Sequence, residues 1–158
     1  MGLFINCLLF ILGTVALVMG ISFYFRNIRY EKETSIIILM YGISSAVWCI
    51  CYGFIGVIPR VEWCPYIRVL GILAVDTFIM TEVFMGCKLT SISKKKSSGV
   101  KMVMFLATIV DFLLFSKTGV DIFVRQNEWT TWYSNPDYNF VRVYHSVYVA
   151  LTFFVLCQ

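Results

Sequence analysis

The stretch RVLGILAVDTFIMTEVFMGCK, from Arg68 to Lys88, decides the fold of this chain. Most residues between its terminal cations are apolar, and a helix of about 20 such residues crosses a bilayer core of about 30 Å. The exceptions are two acids, Asp76 and Glu82. A carboxylate inside a spanning helix costs about 2.5–3.5 kcal/mol on insertion scales, so each acid needs a partner, a proton or water.

The composition of the whole chain is typical of a membrane protein. Of its 158 residues, 59% are hydrophobic and only 14% are charged, whereas a soluble domain is under half apolar and about a quarter charged. We therefore predict an all-α, polytopic transmembrane bundle that forms one membrane-embedded domain over residues 1–158. Its five predicted spans are about 3–25, 35–58, 66–87, 102–119 and 141–158.

The distribution of basic residues predicts the orientation of the bundle. Two loops on the same side, after the first and third spans, carry most of the cations, and the positive-inside rule makes that side cytoplasmic. The N-terminus is then outside, and the first span is a retained helix because no positive region precedes it. Eight of the 13 lysines and arginines lie in these two loops: Arg26, Arg29, Lys32, Lys88, Lys94, Lys95, Lys96 and Lys101.

The segment from about 117 to 142 is the longest predicted loop. It is rich in aromatic residues, which favour the membrane interface because their rings are apolar and their N–H or O–H groups need water. Two interpretations stay open, an aromatic belt and a ligand-contacting lid. After it, the fifth span is still apolar at Gln158 with no basic anchor, so we expect a fragment of a longer chain.

No soluble catalytic motif and no basic, aromatic-interleaved face for nucleic acid is found in the sequence. The six cysteines are dispersed, and the single histidine gives no His/Cys set of the zinc type. The sequence therefore predicts no catalytic residue, no cofactor, no metal site and no nucleic-acid partner. The predicted partners are the lipid bilayer and an unknown small ligand.

Two short stretches carry a resemblance to a known family. MYGISSAVWCICYGF, from Met40 to Phe54, and YIRVLG, from Tyr66 to Gly71, are similar to helices two and three of the N-terminal seven-helix input region of bacterial sensor histidine kinases and diguanylate cyclases. The chain resembles the first five of those seven helices. The positions that carry the resemblance are Trp48, Tyr52, Gly53, Arg68 and Gly71.

The resemblance implies a sensor located in the bacterial cytoplasmic membrane. In such a protein the bundle relays a signal to a cytoplasmic output domain, which is a kinase of a two-component system or a cyclase. It also implies a homodimer formed through that cytoplasmic part. Trp48, Tyr52, Gly53 and Gly71 are interpreted as packing residues rather than ligand contacts.

The intramembrane acids are the candidate site. Asp76 lies near the midplane, and Asp111 in the fourth span lies within about one helical turn of the same depth. Since the third and fourth spans are antiparallel neighbours, the two carboxyl groups can meet. Candidate partners are three threonine hydroxyls, two arginines and one histidine: Thr77, Thr81, Thr108, Arg68, Arg142 and His145.

Two interpretations of these acids stay open. In the first, Arg68, Asp76, Asp111 and His145 form a polar pocket, open to the outside, that binds a small ligand or a cation or responds to protonation. In the second, the acids make interhelical hydrogen bonds worth about 0.6 kcal/mol each. Glu82 lies nearer the cytoplasm, where its side chain can extend towards Lys88.

The sequence leaves three functions to be compared. The first is a sensory input region that detects a small ligand, an ion or a membrane state. The alternative is a subunit or fragment of a transporter or channel that uses the intramembrane aspartates. The third is a membrane anchor with no other task.

Overall fold

The computed structural model describes residues 2–90, 94–117, 119–126 and 128–156. Five α-helices make up most of this part of the chain, and a two-stranded hairpin separates the last two. The helices are α1 (Gly2–Asn27), α2 (Lys32–Val57), α3 (Cys64–Leu89), α4 (Lys94–Phe115) and α5 (Asn139–Leu156). The strands are β1 (Asp121–Gln126) and β2 (Trp129–Ser134), and short 3₁₀ turns cover Val61–Trp63 and Pro136–Tyr138.

Four helical segments are long and apolar enough to cross a membrane, and the mostly helical structure agrees with the predicted bundle. They are Phe4–Asn27, Lys32–Val57, Val61–Leu89 and Lys96–Phe115. The predicted fifth span, 141–158, corresponds to α5, which ends at Leu156. Its last two predicted residues, Cys157 and Gln158, lie outside the described residues, so a fifth crossing stays a prediction.

Helix α4 begins earlier than its predicted span, which started at residue 102. The lysine-rich segment that the sequence placed in a loop forms its first turns, from Lys94 to Lys101. Lysine is a good helix former, and its long side chain can extend away from the apolar core to reach water. The end of the bundle where α1 and α3 end and α2 and α4 begin is called the lysine end here.

Helices α1 and α2 approach closely at glycines. A Cβ built on Gly42 of α2 would lie 2.7 Å from the carbonyl oxygen of Ala16 and 3.0 Å from the Cα of Gly20, both on α1. Small residues at such crossings let helix backbones pack directly in a membrane, where helix association depends on van der Waals contact. Helix α3 packs on α2 with one face and contacts both α4 and α5 with others, so it is the central helix of the bundle.

The β1–β2 hairpin was not anticipated by the sequence analysis, which treated residues 117–142 as a loop. The strands pair antiparallel, with Asp121 opposite Ser134 and Gln126 opposite Trp129. Their β-branched and aromatic residues favour extended structure. Gly119 begins the turn into β1 with φ +88°, a left-handed conformation that favours glycine.

The hairpin folds back onto the bundle. Thr130 is buried, and its hydroxyl donates a 3.2 Å hydrogen bond to the carbonyl of Ile58, just after α2. Arg125 donates a 2.6 Å hydrogen bond to the same carbonyl. The ring of Trp132 packs edge-on against Tyr52 of α2, with centroids 5.8 Å apart. The opposite end from the lysine end is therefore capped by β1 and β2, and it is called the hairpin end.

Candidate functional site

Three ionisable side chains from three helices meet inside the bundle. They are Asp76 of α3, Asp111 of α4 and His145 of α5, and they are called the three-helix cluster here. One carboxylate oxygen from each aspartate and one ring nitrogen of the histidine all lie within 4.8 Å of one another. The aspartates are 1% and 0% exposed, whereas the histidine side chain is 28% exposed. The two acids are thus enclosed and the histidine lies at the margin.

The polar atoms of the cluster are only partly satisfied. His145 Nδ1 and Asp111 Oδ2 form a hydrogen bond of 2.7 Å. Among residues 2–90, 94–117, 119–126 and 128–156, no hydrogen-bond partner is found for Asp111 Oδ1 or for either carboxylate oxygen of Asp76. Buried polar atoms are nearly always paired in folded proteins, and a buried group without a partner is costly. The cluster is therefore short of a proton, an ion or a bound ligand.

The threonines that the sequence offered as donors do not meet this need. Thr77 donates to the carbonyl of Leu73 at 2.8 Å, one turn back on its own helix. Thr81 and Thr108 bond backbone carbonyls of their own helices in the same way, and Thr108 is also 2.8 Å from the hydroxyl of Tyr148. The three hydroxyls lie at depths in the bundle similar to those of the acids, but their hydrogen bonds are made to backbone carbonyls and to Tyr148.

A cavity adjoins the buried acid of α3. It has a volume of about 320 Å³ and lies between α2, α3 and α4, with Asp76 as its one carboxylate among mostly apolar lining side chains. Thr77 and Thr108 also line it. Asp76 therefore lies at the wall of this cavity, although both of its carboxylate oxygens are buried.

A second polar arrangement lies at the hairpin end. Asp121, the first residue of β1, pairs with Arg68 of α3 through one carboxylate oxygen and with Arg142 of α5 through the other. Arg68 is 4% exposed, and it also donates a 2.5 Å hydrogen bond to the carbonyl of Phe115, where α4 ends. These three charged residues, called the hairpin clamp here, fasten the start of the hairpin to two helices.

The structure divides the four residues that the sequence grouped as a candidate ligand site. Asp76, Asp111 and His145 come together, and His145 is the partner of Asp111 that the sequence analysis considered. Arg68 does not join them, because it lies eight residues, or about 12 Å, along α3 from Asp76 and turns to Asp121 instead. A role in ligand binding stays a prediction for all four.

Asp121 is the residue that the sequence analysis missed. It follows a glycine at the start of the aromatic segment, outside every predicted span, whereas the search for partners concerned acids within spans. The sequence did contain one indication. Arg68 and Arg142 lie near the same membrane interface, and both need a counter-charge. Only the folding back of the hairpin shows which acid supplies it.

Three of the residues that carry the family resemblance, Tyr52, Gly53 and Gly71, lie at contacts between helices. A Cβ on Gly53 would lie 3.0 Å from the ring of Phe10, and one on Gly71 would lie 3.1 Å from the ring of Tyr52. The Trp48 and Tyr52 rings pack edge-on with centroids 6.1 Å apart. Gly53 and Gly71 therefore serve close packing between helices, and the Trp48–Tyr52 contact lies within α2.

At the lysine end, Lys88 pairs with acids other than Glu82, which was its predicted partner. Lys88 Nζ lies 3.5 Å from Glu31 and 3.7 Å from Glu33, at the start of α2, and not beside Glu82. A hydrogen bond from Thr34, 2.6 Å long, and the charge of Lys88 hold the pKa of Glu31 below its ordinary value. An exposed ion pair therefore joins the start of α2 to the end of α3.

Comparison of the chain with protein-family models, with curated proteins and with solved structures finds no match. In the part of the chain that the structure describes, two features carry chemistry: a buried, partly unsatisfied cluster between α3, α4 and α5, and a clamp that ties the hairpin to α3 and α5.

Proposed function

We propose that this chain is the membrane-embedded sensory input region of a bacterial signal-transduction protein. It lies in the cytoplasmic membrane with its N-terminus and the hairpin end outside and the lysine end inside. It detects a small ligand or an ion, or a state of the membrane, and passes the change in helix packing to an output domain in the cytoplasm. A histidine kinase or a diguanylate cyclase is the output that the resemblance implies.

The observation that carries this proposal is that α3 and α5 each contribute to both polar sites. Helix α3 holds Arg68 in the hairpin clamp and Asp76 in the three-helix cluster. Helix α5 holds Arg142 and His145 in the same two sites, only three residues or about 4.5 Å apart. A displacement of the hairpin is thereby coupled to the packing around the cluster.

Such coupling is what an input region requires. A signal shifts a protein between two packings only if it binds or stabilises one of them better than the other. The clamp faces the hairpin end, where a signal from outside arrives, and the cluster lies deeper, among three helices that continue to the lysine end. Because the cluster is not fully satisfied in this packing, an ion or ligand that satisfies it would favour one packing over another.

Distances between spin labels at the lysine end test the proposal. Labels are attached at Tyr30→Cys, between α1 and α2, and Lys96→Cys on α4, which are both exposed. Cys7 and Cys157 are replaced by serine, and the four other cysteines are buried. In lipid nanodiscs, Asp121→Asn should change the distance distribution relative to the parent, because it releases the clamp at the opposite end. Asp137→Asn, an exposed acid just after the hairpin, is the matched control.

An unchanged distribution in Asp121→Asn, in a variant that is folded, would contradict the coupling.

The transporter or channel alternative is favoured by the presence of two acids deep in the bundle, and it is tested in parallel. Proteoliposomes holding the parent chain are assayed for proton and Rb⁺ uptake. Uptake that is lost in Asp76→Asn would replace the sensor proposal by the transport one.

A further inference from the structure

We propose that Asp76, Asp111 and His145 form a binding site for a divalent transition-metal cation of the zinc class. The claim that this ion is the signal detected by the input region rests on the proposed function. The claim that the ion binds here rests on the geometry of the cluster alone. The sequence predicted no metal site because it contains no set of histidines and cysteines of the zinc type. In the cluster, two carboxylates complete the donor set.

The donor atoms suit such an ion. One imidazole nitrogen and two carboxylate oxygens are the ligand types that Zn²⁺ takes in sites with three protein ligands and an open fourth position. Ca²⁺ and Mg²⁺ prefer shells made wholly of oxygen, with six or more ligands. The mixed nitrogen and oxygen set therefore favours a transition metal over the alkaline-earth ions.

The distances are compatible with coordination after small side-chain movements. Ligand atoms of a tetrahedral zinc, bound at about 2.0–2.1 Å, lie about 3.4 Å from one another. The donor atoms of the cluster lie within 4.8 Å of one another, so rotation of one or two side chains closes the site. The cavity of about 320 Å³ beside Asp76 can take up a small shift of the neighbouring apolar side chains as the site closes.

The unsatisfied oxygens are the independent sign of a missing ligand. Asp76 is 1% exposed, and neither of its carboxylate oxygens has a hydrogen-bond partner among the described residues. One oxygen of Asp111 is in the same state. A divalent cation neutralises two carboxylates at once and binds one oxygen of each, whereas a single proton neutralises only one of them. The partly exposed His145 places the cluster at the edge of the bundle.

Bound metal would also fix three helices to one point. The ligands come from α3, α4 and α5, and α5 carries the clamp residue Arg142 one turn from His145. An ion held by all three side chains favours the one relative arrangement of α3, α4 and α5 in which its ligands can meet. In the proposed input function, the bound ion selects that packing over another.

Zinc binding to the purified chain in nanodiscs tests the site. The probe is Zn²⁺ alone, measured by competition with a chromophoric chelator, on the parent and on Asp76→Asn, Asp111→Asn and His145→Gln. Loss of one ligand should weaken binding at least about tenfold, since even outer-shell changes typically cost 10–100-fold. Glu82→Gln is the matched control, because it removes the other acid of α3 but lies outside the cluster, and it should bind as the parent does.

Equal affinity in the parent and in the three cluster variants, or no zinc binding by the parent, would overturn the site. Co²⁺ provides a readout that needs no variant. The parent should give the visible bands of a nitrogen and oxygen site without a thiolate charge-transfer band. A thiolate band would place the ion at cysteines and overturn the proposal, as would displacement of zinc by a modest excess of Mg²⁺ or Ca²⁺.

The two proposals fail separately. Zinc that binds at the cluster but leaves the spin-label distances unchanged, with Asp121→Asn also without effect, would contradict the sensory function and leave the metal site standing. Distances that respond to Asp121→Asn in a chain that binds no zinc would contradict only the metal site.

Discussion

Arg142 and His145 lie one turn apart on α5, yet they belong to two different polar sites. Arg142 pairs with Asp121 at the start of the hairpin, and His145 pairs with Asp111 inside the bundle. The separation along the helix is about 4.5 Å. This short piece of α5 therefore links an interfacial salt bridge to buried acids.

The hairpin clamp should be a large contributor to stability. Replacing Asp121 by Asn leaves the buried Arg68 without its counter-charge, and breaking a buried ion pair in this way typically costs about 3–5 kcal/mol. We expect a loss near the lower limit, about 3 kcal/mol, because Arg142 is partly exposed and can be solvated. Unfolding of the purified chain by denaturant in mixed micelles measures the change. Asp137→Asn, at an exposed site, should shift the unfolding free energy little, and an equal loss in both variants would contradict the clamp.

The glycine contact between α1 and α2 predicts a second stability change. A methyl group at Gly42 would press on the Ala16 carbonyl, 2.7 Å away, so Gly42→Ala should force the helices apart and cost about 1–3 kcal/mol. Gly99 is the control, because nothing lies within 4 Å of a Cβ there. Gly99→Ala should be neutral or stabilising by up to about 1 kcal/mol, since alanine favours helix. Thermal unfolding curves that rank the two variants the other way would contradict this packing.

The ion pair at the lysine end predicts a dependence on pH. The pKa of Glu31 is lowered in the folded state by Thr34 and Lys88, so its contribution to stability is present above its ordinary pKa. That contribution is lost as the pH falls through the lowered value. The parent should therefore lose more stability than Glu31→Gln on acidification from about pH 6 to pH 3. Parallel losses in the two proteins would contradict the pairing, and Glu62→Gln, an exposed acid at the hairpin end, is the control.

The proposed orientation predicts which exposed positions react from each side. Tyr30 lies between α1 and α2, and Tyr133 lies on β2. In intact spheroplasts, a membrane-impermeant maleimide should label Tyr133→Cys and leave Tyr30→Cys unlabelled until the membrane is opened. The parent chain is the background control. The reverse pattern would mean that the lysine end is outside.

The sequence was sufficient to predict that Asp76 and Asp111 lie at similar depths in the bundle. Because a helix rises 1.5 Å per residue, the levels of Asp76 and Asp111 could be inferred from their spans, and their meeting followed from the antiparallel order of α3 and α4. Rotation about each helix axis is not fixed by such reasoning. For that reason the hydroxyls of Thr77 and Thr108 were expected near the acids, whereas they bond to their own backbones.

The hairpin shows a second limit of the sequence. The residues of β1 and β2 have strand propensity, but their aromatic content was interpreted as a membrane-interface loop. The pairing of Asp121 with Arg68 joins positions far apart in the chain, and no spacing or motif indicates it. A tertiary contact of this kind appears only when the hairpin is placed on the ends of α2 and α3.

The distance between spin labels at Tyr30→Cys and Lys96→Cys, with and without Zn²⁺, tests the central claim most directly. If the three-helix cluster receives the signal, saturating Zn²⁺ should change the distance distribution of the parent and leave that of Asp76→Asn unchanged. Glu82→Gln should respond as the parent does. A distribution that is the same with and without the ion in the parent, or that shifts equally in Asp76→Asn, would contradict a sensory role for the cluster.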